Sequence, residues 1–278
     1  MSVSKNLIKY IHSLAIKKVR SKENAFVVEG FKSVEDLLEA GFKPLIIIAT
    51  KAWLLNTQGA AKEILDDIQK STLKNQCETK VFLANDEELR RASLLQHPQQ
   101  VIAVFELPAA DWLPASTMPL TETIKSDLVL CLDGVQDPGN LGTIIRTADW
   151  FGIRHIVCSP STADAFAPKV VQATMGSIAR VKLTYTSLPD FLKELSVKIP
   201  IMGTLLDGTP LGSETKLPSA GVVVMGNEGN GISQEVKGLL TQRILIPNFF
   251  VDRTSRAESL NVSIATAIIL AELRMHGK

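Results

Sequence analysis

Residues Leu128–Ile153 read LVLCLDGVQDPGNLGTIIRTADWFGI. The apolar run Leu128–Leu132 predicts a buried strand, and the acidic, glycine- and proline-broken Asp133–Gly142 predicts a turn. A helix then follows from about residue 141, with Leu141, Ile144, Ile145 and Ala148 on one face. Asn140 falls in the turn, as a candidate N-cap of that helix. Arg146 lies about 140° around the helix from Leu141, at roughly 100° per residue, so it points away from the core face and meets either water or a partner. A strand, a glycine-bearing turn and a helix is a usual setting for a site in an α/β protein.

The alternation continues outward from this unit. Further strands are expected at His155–Cys158, Arg180–Thr184, Ile199–Gly203, Gly221–Met225 and Ile244–Ile246, with helices at about 141–151, 167–176, 188–196, 233–241 and 259–274. That is a mostly parallel α/β domain over residues 126–278. Residues 108–125 hold Pro108, Pro114 and Pro119 without a period and are expected to be a linker. Residues 1–107 alternate strands and helices as a smaller α/β domain. It opens on a basic amphipathic helix over 3–20, striped by Leu7, Ile8, Ile11 and Leu14, and runs into a strand at Ala25–Glu29.

Composition narrows the function classes. The chain of 278 residues is 45% hydrophobic and 21% charged, values of an ordinary globular protein. No apolar run reaches the roughly 18 residues of a membrane span, and the N-terminus lacks a secretory hydrophobic region, so a cytoplasmic location is expected. Cys77, Cys131 and Cys158 are odd in number and far apart, which suits reduced thiols. Without paired Cys/His spacing no metal site is expected. Net charge is only +1, yet the first 32 residues carry seven Lys/Arg, among them Lys17, Lys18 and Arg20, against Glu23 and Glu29. Such a patch can meet phosphates, and it can equally be a solvated helix face.

Three loops could carry chemistry. In the first, Gly139 and Gly142 flank the start of a helix whose N–H groups suit an anion, but the spacing is not that of a dinucleotide-binding G-x-G-x-x-G. The second, Val222–Ser233, runs from a buried strand into Gly226-Asn227-Glu228-Gly229-Asn230-Gly231. A tight connection capped by Ser233 explains Gly231 but not Asn227 and Glu228, and no phosphate-binding G-x-x-x-x-G-K-[ST] occurs. The third, Ile246–Leu260, enters a helix apolar nearly all round, as at a core or a subunit interface. Ser259 is its expected N-cap, which leaves Asn261, a weak helix former, in the first turn.

Together the three loops resemble the SpoU family of RNA ribose 2′-O-methyltransferases, within the SPOUT class. The resemblance rests on Asn140-Leu141-Gly142 with Arg146, on Gly226-Asn227-Glu228 with Gly231, and on Ile246-Pro247 with Ser259-Leu260-Asn261-Val262-Ser263. Met175-Gly176-Ser177 fits the stretch between motifs, and Phe26–Gly30 is similar to the RNA-binding domain many members carry. The resemblance implies a mostly parallel sheet with a C-terminal trefoil knot, an exception to the rule against knots. It implies S-adenosylmethionine held by Gly226, Ile246 and Leu260, with Thr204 and Leu205 as further candidates. It implies Asn140, Arg146, Glu228, Ser259 and Asn261 as the catalytic group, and a homodimer with the site at the subunit interface. The extra N-terminal domain favours ribosomal over transfer RNA, by analogy.

A guanidinium keeps its proton in proteins, so Arg146 is expected to act by holding phosphate and developing alkoxide charge and not as a base. Asn248–Glu258 is about five residues longer than the family's usual connection, and its Phe249, Phe250, Arg253 and Arg256 suit either RNA contact or a packed loop. Two rivals stand beside this reading. One is an inactive RNA-binding protein of the same fold, disfavoured by the intact motifs. The other is a dinucleotide oxidoreductase, disfavoured by the glycine spacing.

Overall fold

The computed structural model describes residues 3–73, 79–114, 117–195, 198–212, 217–249 and 259–276. Cys77, Phe250, Arg253 and Arg256 lie outside them, as does most of the connection through which the expected threading would run. The chain forms two compact units, one of residues 1–112 and 164–180, the other of 113–163 and 181–278.

In the first unit the order is α1 (Lys5–Ser13), α2 (Lys17–Glu23), β1 (Ala25–Glu29), α3 (Phe31–Glu39), β2 (Pro44–Ala49), α4 (Lys51–Asn56), α5 (Gly59–Leu73), β3 (Lys80–Leu83), α6 (Asp86–Ala92) and β4 (Val101–Glu106). The strands form a mixed sheet, β1-β4-β2-β3, with β4 antiparallel to both its neighbours. The helix expected over 3–20 is broken in two. Arg20 supplies the reason: its guanidinium reaches back to the carbonyls of Leu14 and Ala15 at 2.7 and 2.9 Å, satisfying acceptors that a helix end leaves open. Ile11, Leu14, Val27, Ile48 and Val104 share the core beneath.

Residues 164–180, expected in the second domain, pack with the first unit. They contain a short helix at Pro168–Thr174, and the pairing has identifiable causes. Phe166 packs on Phe26 with ring centroids 4.8 Å apart. Asp164 pairs with Arg20 at 2.6 Å, and Arg180 with the buried Asp36 at 2.9 Å. A side chain at Gly176 would collide with Asp36, and its φ of +90° independently favours glycine.

The second unit holds α7 (Leu120–Ser126), β5 (Leu128–Asp133), α8 (Pro138–Trp150), β6 (His155–Cys158), and, after the short helix α9 (Pro168–Thr174) lent to the first unit, β7 (Lys182–Tyr185), α10 (Leu188–Lys193), β8 (Ile201–Pro210), β9 (Gly221–Gly226), α11 (Gln234–Lys237), β10 (Gln242–Leu245) and α12 (Val262–His276). Its six strands run β10-β8-β9-β5-β6-β7, and every neighbouring pair is parallel. The expected α/β architecture is therefore present. Part of the expected linker is instead α7, packed through Ile124 on Val129 and Val222. The quoted stretch folds as read, β5 into α8, with Leu141, Ile144, Ile145 and Ala148 all buried.

Candidate functional site

Parallel strands deliver their carboxyl ends to one edge, and β10, β8, β9 and β5 lie side by side there. The site residues sit just beyond those ends. From β5 the chain turns through Gly134 into α8, whose N-cap is Asp137: its carboxylate accepts from Asn140 N–H at 2.8 Å, with Pro138 at the first helical position. Asn140, a candidate for that cap from the sequence, does not fill it. Relieved of the task, its side chain faces outward to bond across the site.

From β9 the chain enters a narrow loop in which Asn227 and Gly231 exchange backbone hydrogen bonds at 3.0 and 2.9 Å. Asn227 accepts from Gly229 and Asn230 N–H and donates to the Gly134 carbonyl at 2.7 Å, tying the β9 loop to the β5 loop. Gly226 is dictated by the same turn, since a Cβ there would lie 2.3 Å from the Gly231 backbone. In β8, Gly203 pairs with Arg243, but the next paired residue is Thr209, opposite Ile244. Thr204–Gly208 therefore bow out of the ladder beside the ends of β9 and β10, and Thr204 donates weakly to the Met225 sulfur at 3.8 Å.

At the start of α12, Asn261 is the capping residue and not Ser259. Its carboxamide oxygen accepts from Ser263 N–H at 2.9 Å, from Ile264 N–H at 3.3 Å and from the Ser263 hydroxyl at 2.6 Å. Its amide nitrogen remains free to donate to Asn140 Oδ1 at 2.9 Å, while Asn140 Nδ2 donates to Glu228 Oε1 at 2.9 Å. One chain of hydrogen bonds, Asn261 to Asn140 to Glu228, thus joins three loops separated by 88 and 121 residues.

Not every expected site residue enters this chain. Arg146 is exposed and, among the described residues, makes no hydrogen bond or ion pair. It lies about 120° around α8 from Asn140 and about 9 Å further along the axis, from roughly 100° and 1.5 Å per residue. Ser259 and Leu260 are exposed beside Asn261, and Ile246 just follows β10. Lys17 and Lys18 are exposed on α2, whereas Arg20 is 3% exposed and engaged by Asp164 and two carbonyls, so it is a structural residue. Asp137 was missed as a positioning residue, and Asn227, singled out in its motif, had been given no role. Asp137 carried a legible signal, an acid directly before a proline.

The bow of Thr204–Gly208 within β8 and the glycine turn beyond β9 present exposed backbone and a hydroxyl to one edge of the sheet, groups that can hold a small cofactor. Among the described residues no cluster of His, Cys, Asp or Glu suits a metal ion, and no helix is long and apolar enough to cross a membrane. Burial pushes the Cys131 and Cys158 thiols up, so both are inert core side chains.

Comparison with known proteins resolves the class. Residues 127–271 match the model described as the SpoU rRNA Methylase family, and residues 5–103 the one described as an MRM3-like substrate binding domain. A substrate-binding unit joined to a methylase unit defines an RNA methyltransferase that uses S-adenosylmethionine. The chain belongs to the SpoU rRNA methylase family. It is 30% identical over 98% of both chains to the 23S rRNA (guanosine(2553)-2′-O)-methyltransferase RlmP of Bacillus subtilis. A putative RNA methyltransferase of the TrmH family from Porphyromonas gingivalis superposes with a TM-score of 0.77 at 38% identity, over 98% of each chain. An AdoMet-bound rRNA methyltransferase from Sinorhizobium meliloti gives 0.77 at 28% identity, over 99% of this chain and 98% of that one.

Proposed function

We propose that the protein methylates a ribose 2′-hydroxyl of ribosomal RNA, with Asn140, Arg146, Glu228, Ser259 and Asn261 as the catalytic group. The observation that carries this is the hydrogen-bond chain from Asn261 through Asn140 to Glu228, which joins the three motif loops, with Arg146, exposed and unpaired among the described residues, on the same helix as Asn140. Gly226, Ile246 and Leu260, with Thr204 and Leu205, would hold S-adenosylmethionine, whose sulfonium supplies an activated methyl group. The protein's task is then alignment. The Asn140–Glu228 pair fixes one wall of the site, and Ser259 and Asn261 orient the ribose. Arg146 holds the adjacent phosphate and the charge that develops as the hydroxyl loses its proton.

A homodimer supports the same reading. Arg146 stands apart from the Asn140 network within one chain, and α12 leaves Ile264 and Ile268 54% and 36% exposed, with Trp150 of α8 at 85%. Such an apolar surface is what a second copy would bury. Lys17 and Lys18 extend the RNA surface, and Arg253 and Arg256 are further candidates. The cytoplasm, where thiols stay reduced, is the expected location.

Single-turnover methylation of ribosomal RNA tests the assignment. Arg146→Ala should lower the rate about 10²–10³-fold, the scale for one charge-stabilising donor. Arg146→Lys should remain well below wild type, because it keeps the charge and loses the planar fork. Undiminished turnover in Arg146→Ala would remove Arg146 from the catalytic group.

A further inference from the structure

The first unit contains a cavity of about 530 Å³ that the reaction leaves unused. Its size lies within the roughly 300–1,000 Å³ of small-ligand sites. Topology explains its position. Strands β1 and β2 both run antiparallel to β4, so their carboxyl ends and the amino end of β4 meet at one edge, with Glu29 opposite Ile102 and Ala49 opposite Val101. Three chain segments close over that edge: the β1–α3 turn, helix α4 and the approach to β4. The polar lining comes from Glu35, Asn56, Thr57, Gln99 and Gln100.

Each wall has a distinct chemistry. Gly30, at φ +99°, turns the chain so that Phe31 opens α3 and is 58% exposed, although a phenylalanine is ordinarily buried. Trp53 is 3% exposed, and its indole N–H is buried without a hydrogen-bond partner among the described residues. Such an orphan donor needs a reason. Glu35 is half-buried, and burial, reinforced by the nearby Glu39 charge, pushes its carboxyl above the ordinary range. A carboxylate held in that setting gains from paired N–H donors supplied by a ligand.

An exposed aromatic ring, a carboxylate and three carboxamides are the parts that recognise an unstacked base of single-stranded RNA: the ring stacks and the polar groups read the base edge. Glu35 selects among the bases. An ionised carboxylate only accepts, through two oxygens side by side. Guanine alone presents two adjacent donors, N1–H and N2–H, on its pairing edge, whereas adenine, cytosine and uracil set a donor next to an acceptor. Asn56, Gln99 and Gln100 can both donate and accept, which suits the remaining guanine edge.

We propose that this cavity captures one extruded guanine of the RNA substrate, stacked on Phe31 and read by Glu35, as a specificity site separate from the methylated nucleotide. The proposal rests on the reading of the protein as an RNA methyltransferase. It makes the small unit a reader of sequence and not only a basic surface.

The test titrates the full chain with GMP, AMP, CMP and UMP by calorimetry, and with S-adenosylmethionine on the same samples. GMP should bind at least about tenfold more tightly than the other three, the discrimination expected when a site's paired hydrogen bonds go unmade. Phe31→Ala should weaken GMP binding about tenfold, and Glu35→Gln should erase the preference for guanine. On ribosomal RNA both variants should raise KM and leave kcat unchanged. Equal affinity for the four nucleotides, GMP binding that survives Phe31→Ala, or an unchanged KM in both variants would each overturn the proposal. S-adenosylmethionine binding without a GMP response overturns the guanine site alone. A guanine preference in a chain that neither binds S-adenosylmethionine nor methylates RNA upholds the guanine site and overturns the reading of the reaction.

Discussion

Replacing Arg20 by alanine separates a structural arginine from an RNA-binding one. Its guanidinium donates to Leu14 O at 2.7 Å, Ala15 O at 2.9 Å and Asp164 Oδ2 at 2.6 Å, and the side chain is 4% exposed. Removing one member of a buried ion pair costs about 3–5 kcal/mol, chiefly because the other charge is left buried. Two features favour the lower end. Asp164 is 20% exposed and still accepts from Phe166 N–H, and Arg20 Nε is already buried without a partner among the described residues. About 3 kcal/mol is the resulting figure, which at roughly 2–4 °C per kcal/mol in a chain of this size lowers Tm by about 6–12 °C. Differential scanning calorimetry measures it, with Lys17→Ala as the exposed control, expected within about 0.5 kcal/mol of wild type. Arg20→Met with Asp164→Leu should recover most of the loss, since an apolar pair leaves no stranded charge. If Arg20→Ala moved Tm by less than 2 °C while weakening RNA binding more than Lys17→Ala did, the structural assignment would be wrong.

Gly226→Ala places a methyl against the Gly231 and Ile232 backbones, which cannot yield as a side chain does, so it should cost about 1–3 kcal/mol and weaken S-adenosylmethionine binding in calorimetry. Ile264→Glu with Ile268→Glu should yield a monomer by light scattering and abolish methylation; a persisting active dimer would rule this face out as the interface. His155 is buried, and burial lowers its pKa below the ordinary 6.5, with the Lys182 charge adding to the effect and the hydrogen bond to Met118 O opposing it. The unfolded chain then binds the proton first, so stability falls as pH drops below 6.5. In His155→Gln that part of the slope of Tm against pH should vanish between pH 7 and 5.5.

Much of the architecture was legible because periodicity reports burial directly. Leu128–Leu132 could only be an interior strand, and the face of Leu141, Ile144, Ile145 and Ala148 could only be a buried helix face. Errors gathered where local preference yields to a long-range partner. The single helix read over 3–20 breaks because Arg20 caps carbonyls six and five residues behind it. The capping residues of α8 and α12 shifted to Asp137 and Asn261, because only the folded chain shows which polar side chain faces the helix end. Residues 164–180 carry no mark of membership in the first unit, since Asp164, Phe166 and Arg180 find Arg20, Phe26 and Asp36 across about 140 residues of chain.

The motif residues themselves were readable from the chain: a loop with Asn140 and Arg146, another with Asn227 and Glu228, a third with Ser259 and Asn261. Their resemblance to the SpoU family already implied RNA methylation, and such a resemblance is legible because residue type and local turn chemistry are properties of short segments. Tertiary structure alone decided which of them meet. Parallel strands brought the loops of β5 and β9 and the start of α12 to one edge, and there Asn261, Asn140 and Glu228 joined while Arg146 stayed apart. It also engaged Arg20, one of the basic patch in the sequence, with Asp164 and two backbone carbonyls. Charge can be counted along a chain, but whether a charge meets water or a partner depends on what the fold packs against it.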